Sequence, residues 1–251
     1  MASLRSQAAC IGLSGRISVI RNFFGYASPP PWNLAGSQTG LPQSLSLLAQ
    51  MQRLKLPHFH LNGVRVGTDA SDLMEPSDEQ NLDCAVQLCR DIFAAAGIGV
   101  GRFERNWWIP LSDNTGFDIL DDKCEAEDLV DEYTVPNDGV DVFFVDVFVD
   151  PDTAGILGYF PKNGDGVVVE SRSSTFLGTA RTMAHELGHL LGGLGDNDVE
   201  VGGNPDPTNL LSQTQFAATQ PDNQVAIPGS TSLNVNQVND IKGHANIKPP
   251  C

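Results

Sequence analysis

From Val140 to Val149 the chain is almost continuously apolar: Val140, Val142, Phe143, Phe144, Val145, Val147, Phe148 and Val149, interrupted only by Asp141 and Asp146. A strand with one wet face alternates polar and apolar residues. This run does not, so it predicts a central strand buried on both faces. Such a strand needs a helix layer, and the rest of the chain supplies candidates. His58 to Gly67 alternates in a strand-like way through Phe59, Leu61, Val64 and Val66. Ser77, with Gln80 three residues on, reads as the cap of a helix running to about Ala96, with Leu82, Ala85, Val86, Cys89, Phe93 and Ala96 on its apolar face. Gly97 and Gly99 end it. Val100 to Ile109 reads as a strand and Glu125–Tyr133 as a short helix. Ile156–Phe160 and Val167–Glu170 read as a strand pair around the turn Asn163-Gly164-Asp165-Gly166.

Residues 175–191 carry Phe176, Ala180, Met183, Ala184, Leu187, Leu190 and Leu191 at helical spacing, stopped by Gly192 and Gly193. Residues 192–230 read as loop, and Ser232 as the cap of a last helix with Val235, Val238 and Ile241 on one face. The order implies an α+β fold: a mixed, mostly parallel twisted sheet with one long helix before the loop and a C-terminal helix. Residues 56–251 form that domain. Residues 1–55 read as an N-terminal extension, a pro-segment or linker: 25–46 are rich in Pro, Gly, Ser and Gln, and a short helix is expected near 45–54.

The net charge of −16 opposes phosphate backbones and anionic membrane surfaces, so nucleic acid is excluded as an expected partner. No apolar stretch approaches the roughly 20 residues of a membrane span. Residues 1–24 carry scattered arginines and no signal-peptide core. The five cysteines, Cys10, Cys84, Cys89, Cys124 and Cys251, contain no Cys-x-x-Cys pair, so a thiolate zinc site is not expected. Cys84 or Cys89 bridged to Cys124, and buried free thiols, are both open readings.

The chemistry concentrates at His185, Glu186 and His189, an H-E-x-x-H string on the long helix. Positions i and i+4 stack on one helical face, so both imidazoles can aim at one ion with Glu186 beside them. A catalytic zinc keeps three protein ligands and one open position. It acidifies its water, and a neighbouring carboxylate can take the proton as that water attacks a carbonyl.

The longer string, His185-Glu186-Leu187-Gly188-His189-Leu190-Leu191-Gly192, resembles the metzincin zinc peptidases, particularly the matrixin-like and related bacterial members. Their pattern is H-E-x-x-H-x-x-G-x-x-H or D, with Gly192 as the glycine that turns the chain back to the metal. The resemblance covers roughly residues 57–245, strongest over 140–212. It implies a zincin-like fold and a secreted zinc endopeptidase. His185 and His189 are then zinc ligands and Glu186 the general base. An extended polypeptide substrate pairs with an edge strand supplied by 156–170. Gly195 stands where the family carries its third ligand and has no side chain, so Asp196, one residue on, is favoured over Asp198 and His244. Asn209-Leu210-Leu211-Ser212 is similar to the family's methionine turn, with Leu211 in the methionine's place.

Two rival readings stand beside the peptidase. One is a catalytically degenerate metzincin fold that binds metal or a protein partner. The other is a structural domain whose histidines bind nothing. His58 and His60, on one face of the first strand, read as ordinary strand histidines rather than ligands. Asp138, Asp141, Asp150, Asp152 and Asp165 read as loop residues beside strands, where Ca²⁺ is the lesser possibility. An inhibitory role for Cys10 on the zinc ranks below an incidental cysteine.

Overall fold

The computed structural model describes residues 55–66, 76–105, 116–117, 119–148, 158–159, 161, 166–170, 176–193, 200–201, 204–205, 208–211 and 231–250. The expected helix at 45–54, the third-ligand candidates Asp196 and Asp198, the aspartates Asp150, Asp152 and Asp165, and Cys10 and Cys251 lie outside these residues.

The strands are β1 (His58–Arg65), β2 (Gly99–Arg105), β3 (Ile119–Leu120), β4 (Gly139–Val145), β5 (Val147–Phe148), β6 (Gly158–Tyr159), β7 (Gly166–Glu170), β8 (Glu200–Val201) and β9 (Asn204–Pro205). The helices are α1 (Pro76–Ala95), α2 (Lys123–Tyr133), α3 (Phe176–Gly192) and α4 (Val235–Gly243). The main sheet has the order β2-β1-β4-β7-β6. Its first four strands are parallel, and β6 pairs antiparallel with β7 at one edge. The α+β fold with a mixed, mostly parallel sheet is therefore as the residue pattern requires.

The apolar run becomes two strands rather than one. β4 occupies the middle of the sheet, buried on both faces, and Val147–Phe148 leaves it to pair with β3. Phe59, Leu61, Val140, Val142, Phe144, Val167 and Val169 face one side, where Leu82, Val86, Cys89 and Phe93 of α1 and Met183, Ala184, Leu187 and Leu191 of α3 pack on them. Phe143, Val145 and Val168 face the other, against Ala126, Leu129 and Val130 of α2. The period-two alternation of side chains makes both faces apolar only if nearly every residue is, which is what the run supplies.

The two sides also settle the thiols. Cys89 lies in the α1 side of the core and Cys124 is exposed on α2, across the sheet; both are free, so the bridge from Cys84 or Cys89 to Cys124 does not form. Other boundaries move as well. Helix α1 begins at Pro76, so Ser77 is its second residue rather than its cap; proline suits a first turn because its missing N–H has no helical partner there. Asn234, not Ser232, caps α4: its side chain accepts from the Gln237 N–H, and Gln237 returns the bond to the Asn234 N–H. The expected loop 192–230 contains the two-residue hairpin β8–β9. Among the described residues no helix is long and apolar enough to cross a membrane.

The α2 side of the sheet is polar at its opening end. Asp141 is not a loop residue: it sits in β4, 1% exposed, opposite Asn62 of β1. Its carboxylate accepts from Asn62 Nδ2 at 2.7 Å and from the Val135 N–H at 2.8 Å. Asn62 also exchanges amide hydrogen bonds with Asn137. His58 and His60 are buried on this face, with ring centroids 5.3 Å apart, and His60 Nε2 stands 3.8 Å from Asp138. Before β4 begins, Lys248 takes its place beside β1, exchanging backbone hydrogen bonds with His58 of 3.0 and 2.6 Å.

Burial holds the His58 imidazole below its ordinary 6.5, helped by the nearby Lys248 ammonium and opposed by the Leu56 carbonyl and Asp138. The folded state therefore refuses a proton that the unfolded chain accepts. Stability contributed by neutral His58 is complete above about pH 6.5 and declines as pH falls from there towards the lower native value. Urea midpoints measured between pH 7.5 and 5.5 should fall less in His58→Gln than in the parent. Equal declines would show that His58 does not carry the effect.

Candidate functional site

Helix α3 is buried nearly all round. One side is apolar, as above; Thr182, His185, Glu186 and His189 form a second stripe, each under 9% exposed. Residues at i, i+3, i+4 and i+7 share a face, so the helix itself brings these four side chains into line. The two imidazoles meet edge to face with centroids 4.5 Å apart, and His185 Nε2 lies 3.0 Å from His189 Nε2. Both nitrogens thus address one point.

A backbone carbonyl orients the first of them. His185 Nδ1 lies 2.7 Å from the Leu210 oxygen. A carbonyl only accepts, so Nδ1 carries the proton, and in the neutral ring Nε2 keeps its lone pair for a hydrogen-bond donor or a metal. The Leu210 oxygen also accepts from Arg181 at 3.2 Å. The segment around it is held on three sides. The Leu210 N–H donates to Ser232 and the Leu211 N–H to the Asn209 side chain, while Asn209 and Gln237 exchange side-chain amide bonds.

Leu211 packs on α3 where the helix has no side chain. A Cβ on Gly188 would lie 2.8 Å from Leu211 Cδ2. Gly188 falls between the two histidines in sequence, so the Leu211 side chain packs on the helix at that point. Both Leu210 and Leu211 are fully buried.

The edge strand β6 crosses the same stripe. A Cβ on Gly158 would meet Thr182 Cγ2 at 2.6 Å, Glu186 Cγ at 2.8 Å and Glu186 Oε1 at 3.0 Å. Glycine lets the strand backbone lie directly on the Glu186 carboxylate. The next residue, Tyr159, points to the opposite face and donates from its hydroxyl to Glu127 at 3.1 Å. Burial, then that hydrogen bond, pushes its phenol up to about 12.

The helix runs through Gly192, and Gly193 makes the turn out of it, with φ of 62°. The turning glycine is thus one residue later than the sequence pattern indicates. Among the described residues no group of three His, Cys, Asp or Glu side chains could hold a metal ion. His244 accordingly does not join the pair; it caps the end of α4, where its Nδ1 accepts from the Asn246 N–H. Asp138 and Asp141 likewise form no such group.

Sequence reasoning picks out His185, Glu186 and His189 and misses three neighbours. The Leu210 carbonyl is a backbone atom that no residue type signals. Gly158 and Thr182 are ordinary letters in ordinary elements; only the register of β6 across α3 gives them meaning.

No protein-family model matches the sequence, and no curated protein matches it. Among solved structures, the chain is similar to archaemetzincin from Methanopyrus kandleri, with 15% identity and a TM-score of 0.47 over 73% of this chain and 94% of that one. It is also similar to a chain of a chaperone–substrate complex, with 15% identity and a TM-score of 0.42 over 75% of this chain and 34% of that one. Both are distant likenesses.

Proposed function

We propose that this chain is a zinc-dependent endopeptidase. The observation that carries the reading is the convergence of His185 Nε2 and His189 Nε2 at 3.0 Å, with Glu186 on the same stripe beneath an edge strand. Two imidazole nitrogens on a tetrahedral zinc, each about 2.0–2.1 Å from the ion, stand about 3.3 Å apart. The donor types and their spacing fit that ion.

Asp196 is the proposed third ligand. The family pattern sets this ligand three residues past the turning glycine. The turn here is at Gly193, so the same count arrives at Asp196 instead of Gly195. When bound, zinc supplies a Lewis acid and a water with a pKa near 7. Glu186 takes the proton of the attacking water and delivers it to the leaving amine nitrogen. The Leu210 carbonyl keeps His185 in the ligating tautomer. The outer edge of β6, which carries no further strand among the described residues, offers main-chain hydrogen bonds to an extended polypeptide. Secretion belongs to the same proposal, on the resemblance alone.

The test is metal content with turnover. The purified full chain should hold one zinc per molecule by elemental analysis and cleave casein, losing that activity to a chelator and regaining it with zinc. A chain that binds no zinc, or whose cleavage survives chelation, is not this enzyme. Zinc without cleavage would favour the degenerate, metal-binding reading.

A further inference from the structure

Arg181 and His185 stand one helical turn apart on α3 and reach the same atom. The Leu210 oxygen accepts from His185 Nδ1 at 2.7 Å and from Arg181 Nη2 at 3.2 Å, and both side chains are buried. The two donors differ in what they demand. An imidazole adapts: Nδ1 donates when a carbonyl faces it and accepts when an N–H faces it, and in the second case the proton sits on Nε2. An Nε2 that carries the proton has no lone pair for a metal. His185 therefore does not enforce its own ligating form. A guanidinium cannot adapt. It offers five N–H donors and no acceptor, and it keeps its proton.

The peptide joining Leu210 to Leu211 decides which group faces the helix, because its C=O and N–H point to opposite sides. On the far side the Leu211 N–H donates to Asn209 Oδ1. The Asn209 amide is itself fixed: its Nδ2 donates to Gln237 Oε1, and that oxygen also accepts from the Asn234 N–H. A backbone N–H only donates, so this chain of bonds has one sense. On the near side Arg181 admits only an acceptor. We infer that Arg181 is a positioning residue of the site: it holds the Leu210 carbonyl toward α3 and so fixes His185 in the tautomer whose Nε2 is open to zinc. The use of that tautomer rests on the peptidase reading; the tautomer itself does not.

The test begins with the zinc-free full chain carrying isotopically labelled histidine, read by nitrogen NMR at about pH 8.5, where ordinary imidazoles are neutral. The parent should show His185 protonated on Nδ1 and bare on Nε2. Arg181→Lys should keep that pattern, since an ammonium also only donates. Arg181→Gln should lose it: an amide serves either end of the peptide, so the form protonated on Nε2 becomes populated. Zinc affinity, measured by competition with a chelator, should stay near the parent's in Arg181→Lys and fall about tenfold in Arg181→Gln. A role limited to giving the carbonyl a donor would be met by Gln as well as by Lys. The parent's tautomer and zinc affinity in Arg181→Gln therefore overturn the proposal. A His185 protonated on Nε2 in the parent or in Arg181→Lys overturns it too, whether or not the Gln variant folds. A parent with the expected tautomer that takes up no zinc and leaves casein uncut fails as a peptidase, while the hold of Arg181 on the tautomer is still decided by the spectra.

Discussion

Replacing Glu186 with Gln is expected to lower kcat for casein cleavage about 10²- to 10⁴-fold while the zinc content stays at the parent's level. The two side chains have the same shape, so the packing of residue 186 against the strand at Gly158 survives. What is lost is a group able to accept and return a proton. The histidines are untouched, and so is the Leu210 carbonyl that orients His185. A loss in kcat at constant metal separates proton transfer from ligation. Parent-level cleavage by the variant would remove Glu186 from the mechanism, and a loss of zinc would make it a ligand instead.

The second large effect is on stability. Asp141→Ala should lower the unfolding free energy by about 3 kcal/mol, read from urea or guanidinium denaturation. The carboxylate is buried between β1 and β4 and accepts from both the Asn62 side chain and the Val135 N–H. Alanine strands two donors in a site that water does not reach, and the cost is their lost compensation rather than lost apolar contact. Asn137, tied to Asn62 by reciprocal amide bonds, loses its anchor too, which loosens the approach to β4. Asp141→Asn keeps one acceptor and should cost less than half as much. A loss below 1 kcal/mol for the alanine variant would show that water enters and satisfies the donors.

The central strand was legible because burial on both faces leaves no room for alternation, and Val140 to Val145 shows none beyond Asp141. The stripe of His185, Glu186 and His189 was legible because helical spacing alone lines it up. What stayed hidden depends on distance in space. Asp141 looks like loop punctuation until Asn62 stands opposite it. Cys89 and Cys124 look like partners until the sheet separates them. Ser232 and Asn234 both carry capping side chains, and only the reciprocal bond with Gln237 selects Asn234. Gly192 and Gly193 are the same letter twice; the positive φ falls on the second, and the proposed ligand moves with it.

The pairing of His58 with Lys248 has a consequence for the order in which the molecule can assemble. A ribosome adds roughly 5–20 residues per second, so Lys248, which fills the slot beside the start of β1, is made 190 residues after His58 (248 minus 58). β1 also waits for β2 and β4 on its two sides, since parallel neighbours never come from adjacent residues. Closing such distant contacts is slow, and the backbone of the first strand stays open meanwhile to any other extended chain. The backbone of His58–Arg65 in a nascent chain is therefore left open until the segment carrying Lys248 has been made, and a chaperone that shields an extended segment during translation would find one there.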